Sequence, residues 1–415
     1  MKEIKILTAF LFLVYVLNSC NDNSKTGTSL NNFPKKITLN LADAITDSMN
    51  LSEIAERVEY IPLQTTDSTF MGDIYDFIVT QDYIFIKDEL RILKYNKNGK
   101  FGNSLFRVGH GPGEAFPICF AVDEAEKLVY VFDRNEYIMI YDFDGRFNNS
   151  IKKPINPPES LPPWSIGCFN NSLFIAVAQR PQVKYIYSCY DLKNDSVRVL
   201  YNNHRKYDKS QEGKWPALIP WDYNYQINDS CIMYKERFCD TIFQVNKDFL
   251  QKPRYIIDLG RNKLEWEVWR DQRMFHLMET GPPFGYTVQS SIESKSFLFL
   301  SLTSFMEPQL FALFDKDSQT VRIYSSNDSK NQTKQVYLKN DLDHLIAFPP
   351  ANKKGYIDYF NGCLYSIINA ADFEEAYSSA SERIKNSSAY LKSMHPVLSE
   401  IDENSNPVIM KVYLK

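Results

Sequence analysis

From Tyr83 to Phe147 one alternation of apolar and polar positions is written twice in succession. The first copy reads Tyr83-Ile84-Phe85-Ile86-Lys87-Asp88, then Ile92-Leu93-Lys94-Tyr95-Asn96-Lys97-Asn98-Gly99-Lys100-Phe101. The second reads Leu128-Val129-Tyr130-Val131-Phe132-Asp133, then Ile138-Met139-Ile140-Tyr141-Asp142-Phe143-Asp144-Gly145-Arg146-Phe147. Asp88 and Asp133 lie 45 positions apart and Gly99 and Gly145 lie 46 apart, so the second copy gains one residue in its first turn. Short runs of branched and aromatic residues, bounded by Asn, Asp and Gly, predict strands and tight turns. A strand-only repeat of this length predicts a β-propeller with one unit per blade.

Four more units continue the rhythm. The third is Leu173–Val177 with Tyr185–Tyr190, and the fourth is Cys231–Tyr234 with Thr241–Val245. The fifth is Phe297–Leu302 with Leu310–Phe314, closed by the turn Asp315-Lys316-Asp317-Ser318. The sixth is Lys354–Tyr359 with Cys363–Ile367, joined by Asn361-Gly362, which supplies the positive φ angles of a tight hairpin. Strands are also predicted at Ile37–Leu41, at Glu59–Leu63 with Pro62 at an edge or bulge, and at Pro407–Leu414. A closed ring requires one of the two N-terminal strands to share a sheet with the C-terminal end. Leu51, Ile54, Ala55 and Val58 fall on one helical face and predict a short helix. Three insertions interrupt the strands: the proline-rich stretch 154–164, the charged and aromatic stretch 263–278 with helical spacing, and 370–398, helical around 372–380 and again before Pro396.

Composition sharpens this reading. Of 415 residues, 44% are hydrophobic and 14% aromatic, enough for a large core of pleated sheet. The net charge of −4 provides no basic field, which excludes nucleic acid as a partner. Lys2 and Lys5 precede the apolar run Ile6–Leu17, and Leu17-Asn18-Ser19-Cys20 follows. That arrangement resembles a bacterial lipobox, with a signal peptide over 1–19, acylation at Cys20, a polar tether through 32 and the propeller over 33–415. An ordinary signal peptide with an incidental cysteine is the alternative. Cys119, Cys168, Cys189, Cys231, Cys239 and Cys363 show no C-x-x-C spacing, and several sit inside apolar strands, so they are expected to be buried free thiols.

Several pieces, in order, carry a resemblance. They are Glu59-Tyr60-Ile61-Pro62-Leu63, the Asn98-Gly99-Lys100-Phe101 turn, Gly111-Pro112-Gly113-Glu114, Asp240-Thr241-Ile242-Phe243, Tyr255–Gly260 and Asn406-Pro407-Val408-Ile409. Together they resemble a large family of bacterial six-bladed β-propeller lipoproteins. The resemblance implies an all-β, six-bladed propeller with short helical insertions and an envelope location, and the lipid anchor is expected in the outer membrane. It implies no activity, because most members have none assigned.

Candidate chemistry is sparse. His110-Gly111-Pro112-Gly113-Glu114 lacks the strand-to-helix setting of a phosphate loop and reads as a blade-to-blade crossover, with Glu114 accepting backbone N–H bonds. Trp215, Trp221, Tyr223 and Tyr225 follow the basic run His204-Arg205-Lys206, and Trp266, Trp269, Arg270, His276 and Tyr286 form a second group. Aromatic faces with polar tips suit sugar rings or peptide segments, and equally suit packing between blades. The five histidines form no metal-binding pair, no Ser lies in a nucleophile elbow, and the Asp-rich turns lack a calcium loop's spacing. No metal, cofactor or catalytic set is therefore expected. Two functions fit: a binding or scaffolding module for a glycan, peptide or protein, or a lyase or hydrolase at the mouth of the central channel. Convergent His, Asp or Glu on the axis would mark the enzyme, and an aromatic or mixed polar pocket the binding module.

Overall fold

Each predicted unit is one four-stranded antiparallel meander, and six such sheets close into a ring. The computed structural model describes residues 34–45, 48–152, 163–177, 184–202, 224–236, 238–264, 285–304, 309–325, 336–349, 357–387 and 389–415. Blades one to five span 76–104, 117–152, 163–202, 224–258 and 287–325. Their first strands are Asp76–Val79, Pro117–Asp123, Pro163–Phe169, Asn224–Ile227 and Thr287–Glu293, and that of blade six is Ile357–Phe360. First strands pack against one another from blade one through blade five and between blades six and one, so in blades one to five the strands run from the axis outward in sequence order.

Blade six closes the ring. Its last three places are filled by Cys363–Ile368, Val408–Leu414 and, outermost, the N-terminal strand Ala55–Pro62. Pro62 pairs with Val408 at the end of that outer strand, where a missing N–H costs no inner ladder bond. The helix expected from Leu51 is corrected by the structure. Only Leu51–Glu53 forms a single 3-10 turn, capped reciprocally by Asn50 and Glu53, and the chain is extended from Ala55. Leu51, Ile54, Ala55 and Val58 are still buried in one cluster with Val408, Met410 and Val412. Two turns of helix cannot repay nucleation, whereas the ladder to the C-terminal strand can.

The strand Lys35–Thr38 goes elsewhere. It adds a fifth, parallel strand to the outer edge of blade four, pairing with Tyr255–Asp258. Ile45 then bridges Tyr324 on the outer strand of blade five, and Asn50 bridges Lys339. The segment from Lys35 to Pro62 is thus a strap along the outside of three successive blades.

The repeated polar positions have local causes. Asn96, Asp142, Asp191, Asn246 and Asp315 each end a third strand, and each Oδ1 accepts two backbone N–H groups of the following turn. Gly99 has φ of 80°, and a Cβ there would stand 2.0 Å from the Pro62 carbonyl oxygen of the preceding blade. Gly145 repeats the constraint against Leu105. Those glycines therefore serve the turn and the blade joint together.

Between the blades lie apolar layers. Phe85, Phe120, Val131 and Tyr141 fill the first joint, and Phe174, Tyr187, Tyr201 and Tyr234 the third. Cys119, Cys189, Cys231 and Cys363 are buried and Cys168 and Cys239 half-buried, all six as free thiols. The insertion after Ile368 is helical, with α1 (Ala370–Ser379), α2 (Glu382–Lys385) and α3 (Ala389–Leu398). Pro396 lies inside α3 rather than ending it. The proline-rich stretch 154–162 and most of 263–278 lie outside the described residues.

Candidate functional site

The two ends of the meanders differ. At one end every connection between described strands is a short hairpin turn, such as 80–82, 97–100, 124–127, 143–146, 228–230 and 361–362. At the other end lie the described blade-to-blade connections 63–75 and 105–116, the turns 88–91 and 134–136, and the insertion 369–407. The first strand of each blade starts at this second end, and the connections 63–75 and 105–116 lead into it.

The repeat's own aspartates shape this mouth. Asp88 Oδ1 accepts the N–H groups of Leu90 and Arg91, and Asp88 Oδ2 pairs with the Arg91 guanidinium. Arg91 in turn donates to the carbonyls of Ser68 at 3.1 Å and Phe70 at 2.6 Å. From the other side, buried Asn406 donates to the carbonyls of Gln64 (2.9 Å) and Thr69 (3.0 Å), and its Oδ1 accepts the Met71 N–H at 3.0 Å. The connection 63–75 is therefore held by both ends of the chain. It nonetheless leaves Phe70 and Tyr75 exposed, at 52% and 53%.

Tyr75 leads directly into the axial strand, where Asp76 lies opposite Lys87 in the ladder. The Lys87 ammonium sits 4.9 Å from the Tyr75 ring centroid and donates to the Asp88 carbonyl at 3.2 Å. Asp358, on the axial strand of blade six, reaches across the joint: its Oδ2 accepts the Val79 N–H at 3.0 Å and its Oδ1 the Tyr359 N–H at 2.8 Å. Asp76 Oδ1 accepts the Phe77 N–H at 2.9 Å. Both residues are half-buried, and the crowding of inner strands desolvates their carboxylates. Burial, reinforced by the charge of Asp358, lifts Asp76 to about 7, and burial lifts Asp358 to about 6. Burial also lowers the Lys87 ammonium, against the pull of Asp76, and pushes the neighbouring Cys119 thiol up.

The joint between blades four and five uses the same device with neutral side chains. Gln226 donates to the Glu293 carbonyl at 2.8 Å and accepts the Glu293 N–H at 2.7 Å, and Asn224 accepts the Ser291 N–H at 3.2 Å. The Glu293 carboxylate is gripped by both arms of the Arg254 guanidinium at 2.7 Å, by Lys316 and by the Tyr255 hydroxyl at 2.7 Å. Burial alone would raise Glu293, but these cations hold it below the ordinary range.

The residues singled out from sequence fall in several places. Glu114 Oε2 accepts the Gly111 N–H at 2.8 Å, and a Cβ on Gly109 would stand 2.0 Å from it, so the loop closes on itself. Gly113 takes a φ of 75° and follows Pro112 in that turn. His110 packs on Phe116 with ring centroids 4.7 Å apart and touches Asn135. Tyr225 is half-buried between blades three and four, 5.2 Å from the Phe174 ring, with its hydroxyl 2.8 Å from Ser165 Oγ. Tyr286 bridges Lys263 in parallel. Cys20, Trp215, Trp221, Tyr223, Trp266, Trp269, Arg270 and His276 lie outside the described residues. Among the described residues no group of three or more His, Cys, Asp or Glu could hold a metal ion. Sequence patterning does not single out Phe70, Tyr75, Asp76, Lys87 and Asp358 as a site, although an acid inside an apolar axial strand, as in Ile357-Asp358-Tyr359, is a readable anomaly.

Comparison with known proteins agrees with this architecture. A protein of Bacteroides fragilis NCTC 9343 described as exported (BF0058) superposes with a TM-score of 0.61 at 14% identity, over 92% of this chain and all of that one. A member of the DUF4221 family from Bacteroides vulgatus ATCC 8482 aligns over 87% of this chain and 97% of its own, at 10% identity and a TM-score of 0.48. No curated protein matches the sequence. The model of the family described as domain of unknown function (DUF4934) matches residues 36–413, and the chain belongs to that family.

Proposed function

We propose that this protein is an envelope-anchored lipoprotein whose long-connection face binds a glycan, peptide or protein partner. The observation that carries the reading is the exposed pair Phe70 and Tyr75, presented on a backbone fixed by Arg91 and Asn406 beside the polar mouth of Asp76, Lys87 and Asp358. Aromatic faces next to hydrogen-bonding groups suit sugar rings and peptide segments, and a pre-fixed backbone lowers the ordering cost of binding. Trp215, Trp221 and Tyr223 belong to the connection between blades three and four, and Trp266, Arg270 and His276 to that between blades four and five. Both connections join strands whose ends lie at this face. In this reading acylated Cys20 holds the protein to the outer membrane, in keeping with the exported description of the similar Bacteroides fragilis protein.

The test uses the Cys20→Ser protein, expected in the soluble fraction, on glycan and peptide arrays followed by calorimetric titration. Paired Phe70→Ala and Tyr75→Ala changes should weaken binding at least about tenfold while leaving the unfolding midpoint nearly unchanged, as exposed sites do. Undiminished binding by that variant would sink the assignment of the face.

One observation favours a second reading. Two axial carboxylates raised toward neutrality could act as a general acid and base in a lyase or hydrolase. In that case Asp76→Asn would abolish turnover of a bound glycan or ester while leaving its binding intact.

A further inference from the structure

The joints between blades four and five and between blades six and one are clamped at the axis in the same way. In each, a side chain on one axial strand captures a backbone N–H of the next. Gln226 and Asn224 do this with neutral amides, toward Glu293 and Ser291. Asp358 does it with a carboxylate, toward Val79, and a second carboxylate, Asp76, stands three residues earlier on the strand it captures. This is also the joint where the two ends of the chain meet: Val79 belongs to the N-terminal part and Asp358 to the C-terminal part, 279 positions apart. We propose that the joint between blades six and one is a proton-operated latch, tight while Asp76 and Asp358 hold one proton between them and loosened when both are ionised.

The physical reason is the surroundings of the pair. Facing it are the Lys87 ammonium from the second strand of blade one, with Asp88 and Arg134 beyond, the Cys119 thiol from blade two and the Tyr365 hydroxyl from blade six. Lys87 is the one cation adjoining Asp76 among the described residues, and it is already engaged with the Asp88 carbonyl and the Tyr75 ring. Glu293 at the other joint, by contrast, has two cations of its own. With one proton shared, Asp358 can remain an ionised and strong acceptor for Val79 without a like charge beside it. With none, two anions accept N–H groups only two residues apart on one strand, Phe77 and Val79, in a desolvated joint. The titration of the pair falls near neutrality, with Asp76 at about 7 and Asp358 at about 6. The joint is therefore sensitive within the range an envelope protein meets. This inference concerns the ring itself and stands whether or not the mouth binds a ligand.

Amide hydrogen exchange on the full chain, corrected for intrinsic base catalysis, tests it. Between pH 6.5 and pH 8.5 the protection of the Val79 N–H should fall by about tenfold, a factor equal to one unit of pKa coupling. The Ser291 and Glu293 N–H groups, under their neutral clamps, should keep theirs. Asp76→Asn should abolish the loss at Val79, and Asp358→Asn should convert this clamp to the pH-insensitive kind. If Val79 protection follows Ser291 and Glu293 across this range in the wild-type protein, there is no latch. The latch is equally refuted if Asp76→Asn or Asp358→Asn loses protection at high pH as the wild type does.

Discussion

The joint between blades four and five and the joint between blades six and one share a geometry and differ in electrostatics. In the first, amide side chains clamp the backbone, and the buried carboxylate of Glu293 is matched by Arg254 and Lys316. In the second, the clamp itself is charged and its neighbour carries the same sign. The difference teaches that a propeller joint is specified by where a hydrogen-bond acceptor sits, while its response to pH depends on whether that acceptor titrates and what compensates it.

The comparison breaks most visibly at Glu293. Glu293→Ala leaves Arg254 and Lys316 without their anion. Loss of one partner of a buried pair costs about 3–5 kcal/mol, toward the lower figure here because both cations are partly hydrated. Denaturant unfolding should register that loss at pH 6 and pH 8 alike, and a loss confined to one pH would contradict the compensation described.

A second measurement sharpens the contrast through pH. Asp76 and Asp358 have folded-state values above their ordinary ones, so the stability they contribute is full below about pH 4 and lost as pH rises through 6 and 7. At about 1.4 kcal/mol per unit, and discounted because both residues are only half-buried, the pair should cost about 2–4 kcal/mol across that interval. The Asp76→Asn variant should be more stable than wild type at pH 8, and the advantage should shrink by pH 5. Equal stability at both values would show that the pair does not titrate as its burial requires.

The smallest effect belongs to Gln226. Gln226→Ala removes two bonds to Glu293, whose N–H and carbonyl lose those partners, for about 1 kcal/mol at any pH. A pH-dependent cost there would erase the distinction between the two joints.

What was legible in the sequence follows the same division between local and distant. The middle two strands of blades one to five, and their turns, could be read because their causes lie within a few residues: the period-2 apolar pattern, the Asx turns at Asn96, Asp142 and Asp315, and the positive φ at Gly99 and Gly145. The short helix expected at Leu51 failed because the partner that draws residues 55–62 into a ladder is more than 340 positions away, at Val408–Leu414. The axial acids escaped notice for the same reason. Asp358 stands out within Ile357-Asp358-Tyr359, but nothing local joins it to Asp76, and only closure of the ring brings the two together.

Closure by Ala55–Pro62 against Val408–Leu414 also sets a timetable. A chain that emerges N-terminus first makes its outermost blade-six strand early and the strand beside it almost last. Until residue 414 is available, residues 55–62 have an unpaired edge, and the strap before them has nothing finished to wrap. Such distant pairing slows the search for the native ring and leaves a sticky intermediate exposed meanwhile. Assembly of the ring therefore has a single decisive moment, the arrival of the closing strand Val408–Leu414.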